Sequence, residues 1–294
     1  MAPAHAVVPI AGLATRLLPL TKALPKAMLP LGDRTVLDHV LAELAGAGVQ
    51  RVTIVASPRD CVAVTSYLAR DAELENLLRG RGRPDLAESI SRIGEKLEIG
   101  VVAQPAPLGL GDALLCAREE IAGEPFVLAL GDALLHRADG SPSLITARLA
   151  EVLDTRGAVC AIAVTEVAPD RVSDYGIVSL AGPRDDGVAD VAAIVEKPMS
   201  DEAPSRLAVA ARYACGPGLV DALDACRREG AGELGLTPGL QRLLDDGERV
   251  VAVQLHHDER RRDVGTLAGW RGAMLDELLR DPSLRQLARE RVDG

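Results

Sequence analysis

The sequence predicts an α/β protein built on a doubly wound, mixed and mostly parallel sheet, with a helical insertion and a C-terminal helical tail. Short apolar runs rich in β-branched residues alternate with segments whose apolar residues recur at helical spacing. The strand–loop–helix–strand order near the N-terminus implies a right-handed parallel crossover. With 294 residues, 48% of them hydrophobic, the chain can build a sizeable core. We place the main domain at residues 1–266, the insertion at about 69–97 and the tail at 267–294.

The first strand is predicted at Ala6–Ile10, an apolar run too short for a lone helix. The turn after it, Ala11–Arg16, consists of small residues and ends on a fixed cation, and Lys22 and Lys26 follow in a loop punctuated by prolines. A strand leading into such a loop is how a backbone approaches and neutralises phosphate oxygens. Tight turns of small residues are also common without any ligand, so the turn alone is consistent with a phosphate-binding loop and with an ordinary strand–loop turn.

The composition excludes several classes of function. A formal net charge of −10 argues against a nucleic-acid surface, and Arg260–Arg262 is interpreted as a solvated mixed-charge loop because acidic residues flank it. No run reaches about 18 uninterrupted apolar residues and no signal-peptide pattern opens the chain, so we expect no membrane span. The odd number of scattered cysteines favours reduced thiols and a cytoplasmic protein. These cysteines are Cys61, Cys116, Cys160, Cys215 and Cys226.

The remaining elements follow from the same patterns. The first half predicts a helix at 35–44 capped by Asp33 or Thr35, a strand at 51–56, a helix at 61–68, a charged helical excursion at 71–96 broken near Gly80–Pro84, a strand at 97–103, a helix at 113–122 and a strand at 126–130. The second half predicts a helix at 143–154, a strand at 158–164, a strand at 203–213 crossing back towards the sheet, a helix at 238–244 with Thr237 as its cap, and a strand at 250–255.

Polar residues after two of these strands point to chemistry. Gln104 follows a strand and precedes glycines, and its amide offers both a donor and an acceptor to a planar base. The alternative is a Pro/Gly turn with a surface glutamine. Asp132 follows the strand at 126–130, where the carboxyl ends of parallel strands bind ligands and where a hard oxygen suits Mg²⁺. An aspartate in this place is often only a helix cap, so this motif alone is weak.

A second charged pair lies at the end of a later strand. Lys197 can neutralise a phosphate monoester, and Glu196 can accept hydrogen bonds from sugar hydroxyls. Adjacent strand residues point to opposite faces, so both reach one ligand only if the strand ends at Pro198. Without further support an exposed ion pair is the simpler interpretation. We expect Tyr213 in the core, and the adjacent pair His256–His257 in a loop or at an edge rather than in a metal site.

Two stretches resemble the sugar-1-phosphate nucleotidylyltransferases, and within that family most of all the bacterial UTP–glucose-1-phosphate uridylyltransferases. One comprises Gly12–Pro19 and Lys22–Pro30, and the other is Val195–Pro198. The resemblance spans residues 6 to about 269. Two departures lie in the first of these stretches: Ala14 stands where the family usually has a glycine, and Ala27 where the uridylyltransferases usually have a glutamate.

The resemblance implies a Rossmann-like nucleotidyltransferase fold and a reaction between a nucleoside triphosphate and a sugar 1-phosphate. We expect UTP and glucose 1-phosphate as substrates, UDP-glucose and pyrophosphate as products, and Mg²⁺ as cofactor. Relatives are usually dimers or tetramers, so we expect a homo-oligomer. The positions that match the family are, by role, catalytic Arg16 and Lys26; nucleotide-binding Ala11, Gly12, Gln104 and Gly109; sugar-phosphate-binding Gly176, Glu196, Lys197 and Glu233; and metal-binding Asp132 and Asp263. The register of Glu233 stays open, because Gly235 interrupts the usual pattern.

The resemblance constrains the nucleotide less than the reaction. The insertion favours the uridylyltransferases, since the shorter thymidylyltransferases lack it, whereas Leu130–Asp132 looks more like the thymidylyltransferases. One alternative is therefore dTTP, or another nucleotide and sugar-phosphate pair of a specialised pathway. A second, prompted by Ala14 and Ala27, is a non-catalytic nucleotide-sugar-binding homologue, although the retained cations and carboxylates argue against it. The hypothesis of a nicotinamide-dependent dehydrogenase is rejected, because no Gly-x-Gly-x-x-Gly motif begins a helix directly after the first strand.

Overall fold

The computed structural model describes residues 3–230 and 232–293. The first half contains β1 (His5–Pro9), β2 (Pro30–Leu31), β3 (Arg34–Thr35), α1 (Val36–Gly46), β4 (Arg51–Ala56), α2 (Pro58–Leu68), α3 (Ala72–Gly80), α4 (Pro84–Ser91), β5 (Glu98–Ala103), α5 (Leu110–Cys116), α6 (Arg118–Ile121), β6 (Phe126–Ala129) and β7 (Ala133–Arg137). The second half contains α7 (Ile145–Thr155), β8 (Cys160–Glu166), β9 (Gly176–Leu180), β10 (Val188–Glu196), β11 (Leu207–Cys215), α8 (Gly218–Glu229), α9 (Thr237–Asp245), β12 (Val250–Gln254), β13 (Glu259–Asp263), α10 (Leu267–Leu278) and α11 (Pro282–Asp293). Short 3₁₀ turns lie at Thr15–Leu17, Leu20–Lys22, Lys26–Met28 and Pro169–Asp174.

Nine of the described strands form one mixed sheet in the order β5-β4-β1-β6-β11-β8-β12-β10-β9. Strands β5, β4, β1 and β6 are parallel neighbours, and so are β8 and β12. Strand β11 is antiparallel to both β6 and β8 and joins the two parallel groups. The predicted mixed α/β sheet is confirmed. The carboxyl ends of β1, β6, β8 and β12 therefore meet at one edge, where sheets of this kind bind ligands.

The central strands are buried on both faces, which explains their continuous apolar runs. In β1, Val7 packs into a cluster that contains Leu114 of α5, while Ala6 and Val8 pack into a second cluster that contains Leu37 of α1. Successive side chains of a strand point to opposite faces. Helices thus cover both sides of the sheet, as the doubly wound prediction requires.

The first helix begins as its sequence predicts. Thr35 is the N-cap: its hydroxyl accepts from the backbone N–H of Asp38, and the Asp38 carboxylate accepts from the backbone N–H of Thr35. This reciprocal capping box satisfies two of the free amides at the helix start. Of the two candidate caps, Thr35 rather than Asp33 has this role.

Three local predictions were wrong. Arg260–Arg262 is not a loop but part of β13, which pairs antiparallel with β7; this ribbon stands outside the main sheet, so it lacks the apolar alternation of a core strand. Thr237 does not cap α9 but is its first residue, and its hydroxyl donates to Glu196 instead. The helix predicted at 113–122 begins earlier, at Leu110, and is interrupted at Ala117.

The insertion and the tail are both helical. α3 and α4 are separated by Arg81–Arg83, at the predicted break. α10 is fixed to the N-terminal region through the Trp270 indole N–H, which donates to the Pro30 carbonyl at 3.0 Å, and through buried Ala273. The domain limits given above stay a prediction. None of the described helices has both the length and the apolarity needed to cross a membrane.

Candidate active site

The loop after β1 is shaped by its own side chains. The Thr21 hydroxyl donates to the Ala14 carbonyl at 3.0 Å, while Leu17 and Ala27 are fully buried against the sheet. Ala14 has a left-handed backbone with a φ of 49°, a conformation that glycine adopts without strain. This backbone conformation suits the glycine that the resemblance leads one to expect at this position. The buried anchors alternate with Arg16 and Lys26, so the loop presents its cations above the edge of the sheet.

Lys26 and Asp132 form the centre of the site. The Lys26 ammonium donates to Asp132 Oδ2 at 2.7 Å, and their side chains are 14% and 27% exposed. Burial opposes ionisation of Asp132, but the adjacent Lys26 and the nearby Arg261 outweigh it and hold the pKa of Asp132 below its usual value. The carboxylate is therefore charged at neutral pH and available as an oxygen ligand.

Asp263 reaches the same place through the β7–β13 ribbon, in which it pairs with Ala133, the residue after Asp132. A methyl group placed on Gly265 would lie 3.0 Å from Asp263 Oδ1, 3.4 Å from Asp132 Oδ2 and 3.3 Å from Arg16 Nη2. The two carboxylates and the Arg16 guanidinium thus converge on one point. Two carboxylate oxygens in this arrangement are the hard donors that Mg²⁺ takes, so the residues present fit the predicted metal.

A second group of predicted residues forms where β10 ends. Glu196 Oε1 lies 3.7 Å from the Lys197 ammonium, and Glu196 Oε2 accepts from the Thr237 hydroxyl at 3.0 Å. A methyl group on Gly176 would lie 3.3 Å from Glu196 Oε2. Lys197 has a positive φ of 45°, which ends the strand and turns its side chain towards Glu196. The requirement that the strand end before both side chains can face one ligand is therefore met.

Gln104 is buried and held in one orientation. Its Nε2 donates to the Gly109 carbonyl at 3.0 Å and to Asp112 Oδ2 at 2.7 Å, and Asp112 is paired with Arg227 at 2.6 Å. Both partners of Nε2 are acceptors only, so the amide carbonyl must face the other way. Gln104 Oε1 accepts no hydrogen bond from the described residues and is not closed off from solvent. The alternative of a surface glutamine is excluded.

Gly109 and Glu233 lie next to each other. Gly109 has a φ of 101°, and a Cβ there would be 2.3 Å from the Leu234 carbonyl oxygen and 2.8 Å from Glu233 Cγ. The glycine is therefore required by close packing of the two loops, whatever else it contacts. No described contact joins the exposed Glu233 to Glu196 or Lys197, and its role stays a prediction. Thr237 takes the place beside Glu196 instead.

Ala11 and Gly12 connect β1 to the cationic loop. Ala11 is buried, and Gly12 is close enough to Lys26 that a methyl group on it would be 3.7 Å from the ammonium. Gly12 thus lies beside the Lys26–Asp132 pair and exposes its backbone there. A backbone without a side chain at this point leaves room for a ligand to approach the lysine.

The structure adds two arginines that the sequence did not single out. Arg261 lies on β13 between the two groups: Nη2 is 3.8 Å from Asp263 Oδ2, and the guanidinium lies 4.4 Å from the centre of the Tyr175 ring. Arg212 is fully buried, paired with Glu43 at 2.7 Å, and donates to the carbonyls of Leu130 and Ala133. A lone arginine in an apolar strand signals such a buried pair, but nothing in the sequence identifies its partner.

His256, His257 and Asp258 form a separate exposed cluster at the turn before β13, with their ligand atoms within 4.8 Å of one another. The prediction of a loop position is confirmed. The Asp258 carboxylate is already bound by His256 and Arg137, and these two hydrogen bonds lower the pKa of Asp258 to about 2. We assign no ligand to this cluster.

Comparison with known proteins gives consistent relatives. Residues 5–278 match the model of the family described as nucleotidyl transferase. The chain is 36% identical over 236 residues to the UTP–glucose-1-phosphate uridylyltransferase YngB of Bacillus subtilis, covering 80% of this chain and 77% of that one. It is 32% identical to a UTP–glucose-1-phosphate uridylyltransferase of Streptococcus pneumoniae, covering 95% and 92%. The structure of UTP-bound UGPase from Acinetobacter baumannii superposes with a TM-score of 0.88 at 31% identity, covering 99% of both chains.

Proposed function

This chain belongs to the nucleotidyl transferase family, and from that premise we propose that it transfers a uridylyl group from UTP to glucose 1-phosphate, giving UDP-glucose and pyrophosphate. The observation that carries the proposal is the convergence of Arg16 and Lys26 with the carboxylates of Asp132 and Asp263 at the carboxyl edge of the sheet. The identity of the two substrates is inferred from the relatives with 32–36% identity, which are named for this reaction.

The reaction needs no protein nucleophile, because the attacking group is already an anion. A phosphate oxygen of the sugar phosphate attacks the α-phosphorus of UTP in line, and the bond to the β-phosphate oxygen breaks to release pyrophosphate. The difficulty is to bring two polyanions together, so catalysis consists of positioning and charge neutralisation. Arg16 and Lys26 hold the triphosphate and the charge that develops on pyrophosphate, and Lys197 holds the sugar phosphate.

Mg²⁺ would be held by Asp132 and Asp263, and when bound it supplies positive charge to the phosphate oxygens. Lys26 occupies one oxygen of Asp132 and must share this carboxylate with the metal or move to the triphosphate when UTP binds. Gln104 and Gly109 border the base, and Ala11 and Gly12 the phosphates. Glu196, with Gly176 beside it and Glu233 as a further candidate, receives the sugar hydroxyls.

The proposal is tested by pyrophosphate release with Mg²⁺, each of ATP, GTP, CTP, UTP and dTTP, and a panel of sugar 1-phosphates. We expect the highest kcat/KM for UTP with glucose 1-phosphate. A preference for dTTP would replace the nucleotide assignment, and binding of UDP-glucose without turnover of any pair would identify a non-catalytic homologue. Omission of Mg²⁺ with added chelator should abolish release, and undiminished release would contradict the metal assignment.

We also propose that the chain forms a homo-oligomer in the cytoplasm. In its support, apolar side chains of the two C-terminal helices are exposed in the single chain; these are Leu275, Leu278, Leu284 and Leu287. All five cysteines are free thiols, as expected in a reducing compartment. Light scattering tests the first point, since a monomeric mass contradicts it, and cell fractionation tests the second.

A further inference from the structure

Arg261 is the middle one of three consecutive arginines, and its side chain faces the two carboxylates of the site. Residues two apart on a strand share a face, so Arg261 lies on the same side of β13 as Asp263. Its neighbours are bound elsewhere: Arg262 is paired with Asp276 of α10, and Arg260 donates to backbone carbonyls of its own turn. The three arginines therefore have different environments although they are chemically identical.

The Arg261 guanidinium is largely enclosed, with 14% of the side chain exposed, and it makes no hydrogen bond with the described residues. Its Nε is fully buried without an acceptor, and Nη2 is 3.8 Å from Asp263 Oδ2, beyond hydrogen-bonding distance. Three other buried polar atoms in the described chain lack partners, and these are His5 Nδ1, Arg51 Nε and Glu120 Oε2. None of those belongs to a residue of the site. Buried donors are nearly always paired, so the Nε–H of Arg261 is unusual, and the Nη groups, which are not closed off from solvent, are open to an acceptor that the described residues do not supply.

The surroundings of Arg261 indicate which acceptor is missing. On one side of the guanidinium lies Asp263, and on the other lies the Tyr175 ring, whose centre is 4.4 Å away. The backbone carbonyl of Tyr175 accepts a hydrogen bond from the backbone N–H of Lys197. A cavity of about 430 Å³ opens beside Arg261, Asp263 and Tyr175. A group held here lies between Asp263, one of the two carboxylates assigned to the metal, and Tyr175, the residue before Gly176 of the sugar-phosphate segment.

We propose that Arg261 binds the phosphate group of the sugar 1-phosphate, donating two N–H groups to two of its oxygens. This inference rests on the proposed function and adds a binding residue to it. A planar guanidinium matches a phosphate in this bidentate manner, and stacking on Tyr175 fixes the plane of the fork. The third phosphate oxygen is then the one left to attack the α-phosphorus. Lys197, a point charge, cannot orient the group in this way.

The test compares Arg261→Lys and Arg261→Met with the matched control Arg262→Met, whose guanidinium is on the outer face of the same strand. Initial rates are measured with glucose 1-phosphate and UTP varied in turn. For Arg261→Met we expect the KM for glucose 1-phosphate to rise at least tenfold and kcat to fall, with the KM for UTP changed less than twofold. Arg261→Lys, which keeps the charge but not the fork, should rescue only part of the loss. The control should resemble the wild type.

Two further measurements separate the possible failures. Thermal unfolding should show Arg261→Met within about 4 °C of the wild type in Tm, because the contact with the Tyr175 ring is lost but no hydrogen bond is. A larger fall in Tm together with the kinetic effects would instead indicate a structural role. Equilibrium dialysis of labelled glucose 1-phosphate, with and without UTP, reads the binding directly even if the wild type releases no pyrophosphate. An inactive wild type overturns the proposed function. Equal binding of glucose 1-phosphate by wild type and Arg261→Met, or a rise confined to the KM for UTP, overturns this inference.

Discussion

The ammonium group of Lys26 lies 2.7 Å from Oδ2 of Asp132, although the two residues are 106 positions apart. The contact follows from the topology: β1 and β6 are parallel neighbours, so the loops that leave their carboxyl ends meet above the same edge of the sheet. Each residue neutralises the other in a partly buried place. A polyanionic substrate that binds Lys26 must therefore compete with Asp132 for the ammonium group.

Replacing Lys26 with methionine should remove a phosphate ligand while it preserves the length of the side chain. We expect kcat to fall at least about 100-fold, as when one preorganised group is removed from a charged transition state. Pyrophosphate release at saturating substrates measures the effect. Lys96→Met, at an exposed position of the insertion, is the control and should retain wild-type turnover. Comparable rates for the two variants would contradict the assignment of Lys26.

The sequence was sufficient where chemistry and local pattern coincide. The cation-bearing loop and Asp132 were predicted because each follows an apolar strand, and the pair at Glu196–Lys197 because it ends one. Arg261 was misassigned because a charged ribbon outside the core has no hydrophobic period to identify it. Thr237 was taken for a cap because hydroxyl residues before a proline usually have that role. Both wrong predictions have one physical cause. The partner of each side chain lies in another secondary-structure element, and the local sequence pattern does not indicate which one.

The orientation of Gln104 predicts how the site selects its base. With Nε2 held by Gly109 and Asp112, the free Oε1 is an acceptor, which suits the N3–H of uracil and opposes the unprotonated N3 of cytosine. Asp112→Asn leaves one acceptor oxygen for two donors, Gln104 Nε2 and Arg227; when that oxygen pairs with Arg227, the Asn NH2 group faces Gln104 and disfavours its present orientation. We expect the ratio of kcat/KM for UTP over CTP to fall about tenfold, the scale of one partly retained polar contact.

The matched control for this experiment is Asp221→Asn. Asp221 is an exposed residue of α8 and forms an ion pair with Arg118. It should leave the UTP-to-CTP ratio unchanged. An unchanged ratio in Asp112→Asn as well, at an unchanged Tm, would show that the Gly109 carbonyl alone fixes the amide. In that case Asp112 has no part in base selection.

Ala14 predicts a stabilising substitution. The left-handed conformation of an alanine costs about 1–2 kcal/mol of stability. Replacement by glycine removes this cost but increases the conformational entropy of the unfolded chain, which offsets roughly half of the gain. Ala14→Gly should therefore raise Tm by about 1–3 °C and, by removing a methyl group from the phosphate loop, lower the KM for the nucleotide. Ala122→Gly is the control, because Ala122 is also left-handed, with a φ of 52°, but lies at the end of α6. It should raise Tm alone; a fall of Tm in Ala14→Gly would refute the strain argument.

The buried pair Glu43–Arg212 predicts a coupled loss of stability and turnover. Glu43→Gln leaves the Arg212 charge uncompensated in the core, which costs about 3–5 kcal/mol of unfolding free energy in comparable cases. Arg212 also holds the carbonyls of Leu130 and Ala133, on either side of Gly131–Asp132, so kcat should fall with it. Urea unfolding and pyrophosphate release measure the two effects. Glu88→Gln, from an exposed pair with Arg92, should change neither.

The last prediction concerns pH and His5. Burial, with a smaller contribution from Arg51, lowers the pKa of His5 to about 4, from 6.5 in the unfolded chain. Above pH 6.5 both states are neutral and the stability is complete; as pH falls through 6.5 towards 4, the unfolded chain takes up a proton that the folded one refuses. The free energy of unfolding should thus drop by about 2 kcal/mol between pH 7.5 and 5 on account of His5. In His5→Gln, whose amide can keep the hydrogen bond to Thr53, urea unfolding at the two pH values should show a drop smaller by that amount. An equal drop in both proteins would mean that His5 is protonated in the folded state, and the change would then belong to other groups such as His39 and His136, whose pKa values are also lowered by burial.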